Sequence, residues 1–351
     1  MGAFPASCPI PLERYPVITM AHGGGGRLMR DLIDKMFATA FDNRWLREAH
    51  DSAALEAGEG RVAFTTDGFV VSPRFFPGGD IGSLAVNGTV NDLAMSGAVP
   101  QYLASSLIVE EGLAMDELWR VVSSMARAAS EAGVEIVTGD TKVVGHGAGD
   151  GVYVTTSGVG RIAAGVDVSP ARVRAGDALI VSGDVGRHGV AIMAVREGLE
   201  FDTEIESDCA PVHREVRALF DAGVDVHCLR DLTRGGMASA VVEIAQSAGV
   251  EVEIEEPKIE VRDEVRAACE MLGLDPLYVA NEGRFVAFVP ECDTVAAVQA
   301  IASAAPEGVA PRVVGRVVDA GPGGSGVMLR SSIGAERALD LLSGEQLPRI
   351  C

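Results

Sequence analysis

The sequence predicts an α+β protein built of α/β layers in two domains. Two observations carry this. Strand-like apolar runs and stretches of helical period alternate through both halves, with the strands falling in groups. The stretch 163–176, with Gly165 and Pro170, interrupts the pattern as a domain joint would. With 351 residues, each half can bury a proper core.

The elements follow in order. Residues 1–44 form an arm: a glycine cluster at 22–26, then a helix with Leu28, Leu32 and Met36, and Met29, Ile33 and Phe37, at i, i+4 spacing. Residues 45–162 form the first domain. Its expected strands are 61–66, 101–110, 135–137 and 151–161, and its helices 82–95 and 115–131, the latter stopped by Gly133. Residues 163–343 form the second. Its expected strands are 178–182, 226–230, 250–255, 284–289, 312–318 and 326–330. Its expected helices are 188–198, 208–222, 236–248, 262–272, 293–304 and 334–343. Residues 344–351 read as a mobile tail hinged at Gly344.

Composition narrows the function. Hydrophobic residues make 48% and charged residues 23%, which is globular. A net charge of −21 repels nucleic acid and anionic membranes, so neither is an expected partner. The six cysteines form no CxxC pair, which fits a reducing cytoplasm and excludes zinc spacing. The N-terminus lacks a basic start and an apolar stretch of signal length, so the protein is expected to be soluble and cytoplasmic. No prenylation box ends the chain: cysteine stands last, as Cys351, where a terminal thiol can travel to distant sites.

The chemistry concentrates at glycines and acids. The run 321–326 matches G-x-G-x-x-G, but a strand follows it, so it reads as a hairpin turn. No P-loop pattern occurs. Gly24, Gly25 and Gly26 precede a helix and could expose N–H groups to a phosphate. Asp67 follows a strand, Asn91 and Asp92 lie in a helix, and Gly139-Asp140-Thr141-Lys142 follows another strand. Acids from three separate elements suit Mg²⁺ on a triphosphate, with Asp67, Asp92 and Asp140 as ligands and Lys142 a cation for the phosphates. Asp231, Thr233 and two glycines open a helix, a second anion site. Glu282 reads equally as a turn acid or a general base.

These segments together resemble the HypE carbamoyl dehydratase family of hydrogenase maturation. The resemblance runs from His22 to Cys351 and rests on Phe75–Gly82, Asn91–Ala98, Thr138–Val144, Asp231–Gly236, Asn281–Gly283 and the Pro-Arg-Ile-Cys end. Some elements are shared with aminoimidazole ribonucleotide synthetase, thiamine-monophosphate kinase and selenophosphate synthetase; the terminal tetrapeptide is specific to HypE. Gly68 stands where the family usually has serine, and Arg187 where it usually has aspartate.

The resemblance implies the aminoimidazole ribonucleotide synthetase-like fold. The N-terminal half would form a dimeric β-barrel with helices and bind ATP near the homodimer interface; a C-terminal α/β sandwich would cover it. Cys351 would receive a carbamoyl group from the carbamoyltransferase HypF. ATP with Mg²⁺ would drive its dehydration to a thiocyanate, with Lys142 and Glu282 acting on the chemistry. The cyano group would pass to iron on the HypC–HypD scaffold, for [NiFe]-hydrogenase. Two other readings are an ATP-dependent synthetase acting on a free small molecule and a non-catalytic maturation scaffold.

Overall fold

The computed structural model describes residues 10, 15–19, 22, 28, 32–43, 60–198, 205–321, 324–341 and 349–351. Its strands form two large sheets, one in each half.

The first sheet has four strands in the order β1-β6-β4-β5: β1 Arg61–Phe69, β4 Ala98–Glu110, β5 Glu135–Val144 and β6 Val152–Ile162. Only β4 and β5 run parallel. Between β1 and β4 lie the two-residue strands β2 Phe75–Phe76 and β3 Gly79–Asp80, then helix α1 Ile81–Met95. Asp80 starts α1 with a capping box: its carboxylate accepts from Gly82 and Ser83, and the Ser83 hydroxyl accepts from the Asp80 N–H. α1 is buried almost all round, so both its neighbours come close; a Cβ at Gly82 would lie 2.4 Å from the Val121 carbonyl. Helix α2 Met115–Ala132 covers its outer side and ends at Gly133, in the left-handed conformation (φ 71°).

One face of this sheet carries α1. The alternation of β1 puts Ala63, Thr65, Asp67 and Phe69 on that face and Val62, Phe64, Thr66 and Gly68 on the other. The second face remains exposed in this chain, with Val62, Phe64, Val99 and Ile108 in the open.

The second sheet has seven strands in the order β13-β12-β9-β11-β7-β10-β8. They are β7 Asp177–Val181, β8 Cys228–Asp231, β9 Val250–Glu255, β10 Phe285–Pro290, β11 Arg312–Asp319, β12 Gly326–Arg330 and β13 Glu336–Leu339. Its central strands are apolar on both faces. Ile180, Phe285 and Ala287 pack on helices α4 His213–Asp221 and α7 Thr294–Ala304; Leu179, Val286 and Phe288 pack on α5 Gly236–Ala248. Helices α3 Arg187–Glu197 and α6 Asp263–Leu272 pack against each other beside the sheet. Among the described residues no helix is long and apolar enough to cross a membrane.

Four sequence expectations change. Residues 334–343 were expected as a helix, but Glu336–Leu339 is strand β13. Gly334 (φ 80°) closes a tight turn with Ser331 and Ala335, and pairing with β12 overrides the local helix preference. The strand expected at 135–137 runs on to Val144, so Asp140 and Lys142 lie inside it. The helix expected at 208–222 forms only over His213–Asp221. The run 321–326 joins no hairpin: β11 and β12 pair on opposite sides of β9.

Candidate active site

Three carboxylates from three elements face one cleft. Asp67 projects from the α1 side of β1, Asp92 from α1 and Asp231 from the end of β8. The cleft measures about 490 Å³ and is also lined by Thr233, Arg230 and Arg234. Thr65 donates its hydroxyl to Asp92 at 2.9 Å, and the Gly68 N–H donates to Asp67 at 2.7 Å. Burial raises all three carboxyls; Asp231 is pushed up to about 7, with Asp92 and Asp67 adding negative field. The loop after β8 can approach this closely because of Gly236. It sits at φ 60°, and a Cβ there would lie 2.5 Å from the Leu277 carbonyl.

Glu282 lies behind these acids and is 3% exposed. Its segment is fixed from both sides. The Glu282 and Gly283 N–H groups donate to Asp208, and Asn281 accepts from Gly186 and donates to Leu232 and Val279. Burial, then the fields of Asp231, Asp208, Asp67 and Asp92, raise the Glu282 carboxyl well above the usual range. Its Oε1 has no hydrogen-bond partner among the described residues.

The chain end is docked into this region. Residues 349–351 run alongside 70–72: the Val70 N–H donates to the Cys351 carbonyl and the Ser72 N–H to the Arg349 carbonyl, both at 3.2 Å. Ile350 is buried, and its carbonyl accepts from His188. Arg349 takes a left-handed φ of 56° and pairs with Asp150, while Arg196 donates to the Arg349 carbonyl. Burial pushes the Cys351 thiol up to about 12; Glu282 is the next largest influence, and Asp67 and Asp231 also contribute. The thiol therefore lies within the field of the acid cluster. The hinge expected at Gly344 lies outside the described residues, as do Gly24, Gly25 and Gly26.

Other expected residues fall elsewhere. Asp140 and Lys142 pair with each other at 2.5 Å, exposed on β5. The register Asp140–Ser106–Thr155–Gly68 puts them on the open face of the sheet, three strands from β1. That is about 14 Å from the Asp67 strand at ordinary strand spacing. Within one chain, the expected Asp67–Asp92–Asp140 set is therefore not assembled, and Asp231 stands with the other two instead. Among the described residues no group of three or more His, Cys, Asp or Glu is placed to hold a metal ion. Thr141 turns inward and is buried; Gly139 lies so close to β4 that a Cβ would meet the Ser105 carbonyl at 2.3 Å.

Asn91 serves as a clasp: its amide donates to Ala210 and Glu282 carbonyls and accepts from Val212. Gly68 has room for a side chain, the nearest atom to a Cβ being Thr155 Oγ1 at 3.8 Å. Arg187 pairs with Asp184 at 2.7 Å. The sequence reading assigned no role to Arg230, Arg234 or His188. The two arginines flank Asp231 and Thr233 and could have been found by that spacing; His188 carries no sequence signal.

Known proteins resemble the chain over nearly its whole length. Residues 49–162 match the AIR synthase related protein N-terminal domain, and residues 174–342 its C-terminal domain. The chain is 52% identical over 335 residues to the carbamoyl dehydratase HypE of Cupriavidus necator, covering 95% of each chain. It is 45% identical to that of Escherichia coli, covering 95% of this chain and 99% of the relative. Among solved structures, hydrogenase maturation protein HypE in complex with ATP superimposes with a TM-score of 0.90 at 45% identity, covering 95% and 99%. A HypE–HypF complex matches with a TM-score of 0.77 at 43% identity, covering 89% and 99%.

Proposed function

The chain belongs to the AIR synthase related family and, within it, to the HypE carbamoyl dehydratases, and we propose that its substrate is a carbamoyl group carried on its own Cys351. It is an ATP-binding carbamoyl dehydratase of hydrogenase maturation. The observation that carries the residue-level reading is the docked tail, with the Cys351 thiol half-buried within the field of Glu282 and the acids of the cleft. A synthetase acting on a free small molecule would have no need of this arrangement.

The chemistry fits these residues. An amide oxygen is a poor leaving group. Transfer of the γ-phosphoryl group of ATP to the carbamoyl oxygen makes that oxygen part of a phosphate ester. The C–O bond then breaks, the C–N bond becomes triple, and both N–H protons leave. Glu282 takes one proton and solvent takes the other. The products are a Cys351 thiocyanate, ADP and phosphate. A carboxylate with raised proton affinity suits removal of a proton from so weak an acid. Arg230 and Arg234 supply positive charge in the cleft.

Mg²⁺ fits the acids. Asp67 raises the proton affinity of Asp92, and both raise that of Asp231, as like charges without a cation do. Nucleotide-bound Mg²⁺ takes only one or two carboxylates beside phosphate and water, so no complete protein cage is required. Asp67 and Asp92 would hold it, and it would neutralise phosphate charge.

A second copy of the chain would cover the open sheet face. That homodimer gives Asp140 and Lys142 their role: from the face where they stand, they serve the nucleotide site of the other copy. HypF would load Cys351, and the HypC–HypD scaffold would receive the cyano group for hydrogenase iron. Intact mass analysis after incubation with HypF and its carbamoyl donor tests the core of this reading. A carbamoyl adduct should appear on the Cys351 peptide and lose one water only when ATP is present. An adduct on Cys209 or Cys228 instead would sink it.

A further inference from the structure

Asn87 lies one helical turn before Asn91 on α1 and is 5% exposed. Its Nδ2 donates to the Cys209 sulfur at 3.6 Å. Its Oδ1 is buried and has no partner among the described residues. Glu282 Oε1 is in the same state. Ordinary proteins leave few such acceptors buried, and each costs stability until something donates to it.

The two acceptors belong to neighbouring segments. Asn91 binds the carbonyls of Ala210 and Glu282, so the Glu282 segment lies against this face of α1. Cys209, next to Ala210, takes the Asn87 amide one turn along. Glu282 is the leading charged neighbour of both thiols, Cys209 and Cys351. The group to be dehydrated is a primary amide, which presents two N–H donors. Two unpartnered acceptors match that and offer nothing to an acyl group lacking N–H.

We propose that Asn87 Oδ1 accepts one N–H of the Cys351 carbamoyl group and so turns the other toward Glu282 Oε1. Cys209 holds Asn87 in that orientation. This rests on the function proposed above. The site then discriminates a carbamoyl thioester from other acyl thioesters by the donors it carries.

The test is single-turnover dehydration of full-length protein already carbamoylated by HypF, started with ATP and followed by intact mass. Asn87→Leu should slow the loss of water at least about tenfold, with carbamoyl loading and ATP affinity unchanged. Asn87→Asp, which still presents an acceptor oxygen, should stay within a few-fold of wild type. Should Asn87→Leu fail to fold, Cys209→Val and Cys209→Ser decide: the serine still accepts from Asn87 and should dehydrate faster than the valine. Equal rates in wild type and Asn87→Leu, or in the two Cys209 variants, overturn the proposal. Wild-type protein that loads but never loses water overturns the function itself, which is a distinct result.

Discussion

His188 Nε2 lies 2.9 Å from the carbonyl oxygen of Ile350, the residue next to the chain end. A carbonyl only accepts, so Nε2 carries the proton, and Nδ1 accepts from the Ser207 hydroxyl at 2.8 Å. Burial lowers the proton affinity of this ring and keeps it neutral. His188→Leu removes the bond while keeping an apolar side chain. Loss of one net hydrogen bond should make Cys351 about fivefold more reactive toward iodoacetamide, measured on its peptide. An unchanged alkylation rate would show that the tail is held by other contacts.

Glu282→Gln and Lys142→Met separate loading from chemistry. Loading requires only that the tail reach a partner, whereas nitrile formation needs a proton acceptor and a cation on phosphate. Both variants should therefore accumulate carbamoylated Cys351 in the presence of ATP and fail to lose water. Dehydration at the wild-type rate in Glu282→Gln would leave Glu282 a structural acid.

Asp92→Ala should fold and bind the partner but lose ATP-dependent dehydration. Removing a ligand of a phosphate-bound cation costs several kcal/mol of transition-state stabilisation, on the order of a hundredfold or more in rate. Raising Mg²⁺ should restore part of the rate if the lesion is metal affinity. Near wild-type turnover at low Mg²⁺ would reject the assignment.

Much of this was legible in the sequence, and the rest was hidden for physical reasons. Asp67, Asp231 and Glu282 stand out in the sequence as acids at element ends or beside glycines, Asp92 through the Asn-Asp pair in its helix, and Cys351 as the last residue. The direction in which Asp140 and Lys142 point was not legible. It depends on the alternation of a ten-residue strand whose length the local pattern understated. Residues 334–343 are rich in helix formers, and only the neighbouring β12 makes Glu336–Leu339 a strand. Asn87 and His188 act through partners more than a hundred residues away in sequence, Cys209 and Ile350, and no spacing rule reaches so far.

Glu215 on α4 gives a pH dependence of stability. Burial pushes its carboxyl up to about 7, against 4.5 as the ordinary value. Between these values the folded chain holds a proton that the unfolded chain has released. Stability from this group is therefore full below 4.5, falls as pH rises toward 7 and is flat above. Glu215→Gln removes the effect. The variant should gain about 3 kcal/mol relative to wild type between acid and neutral pH, measured by urea unfolding. A constant difference across that range would mean Glu215 is not held protonated.

The position of Asp140 and Lys142 makes a prediction about subunits. They stand on the open face of the first sheet, across from Asp67 and Asp92 on the covered face. If one copy's Lys142 serves the other copy's acids, Lys142→Met and Asp92→Ala damage different parts of a shared site. Mixed dimers of the two variants then contain one intact site: Asp92 from the Lys142→Met copy and Lys142 from the Asp92→Ala copy. Random pairing of equal amounts makes half the dimers mixed, so dehydration should recover to about a quarter of wild type. Phe64→Glu, placed on the open face of edge strand β1, should give monomers by light scattering and abolish this recovery. If both groups instead act within one chain, neither parent nor mixed dimer holds an intact site, and mixing restores nothing.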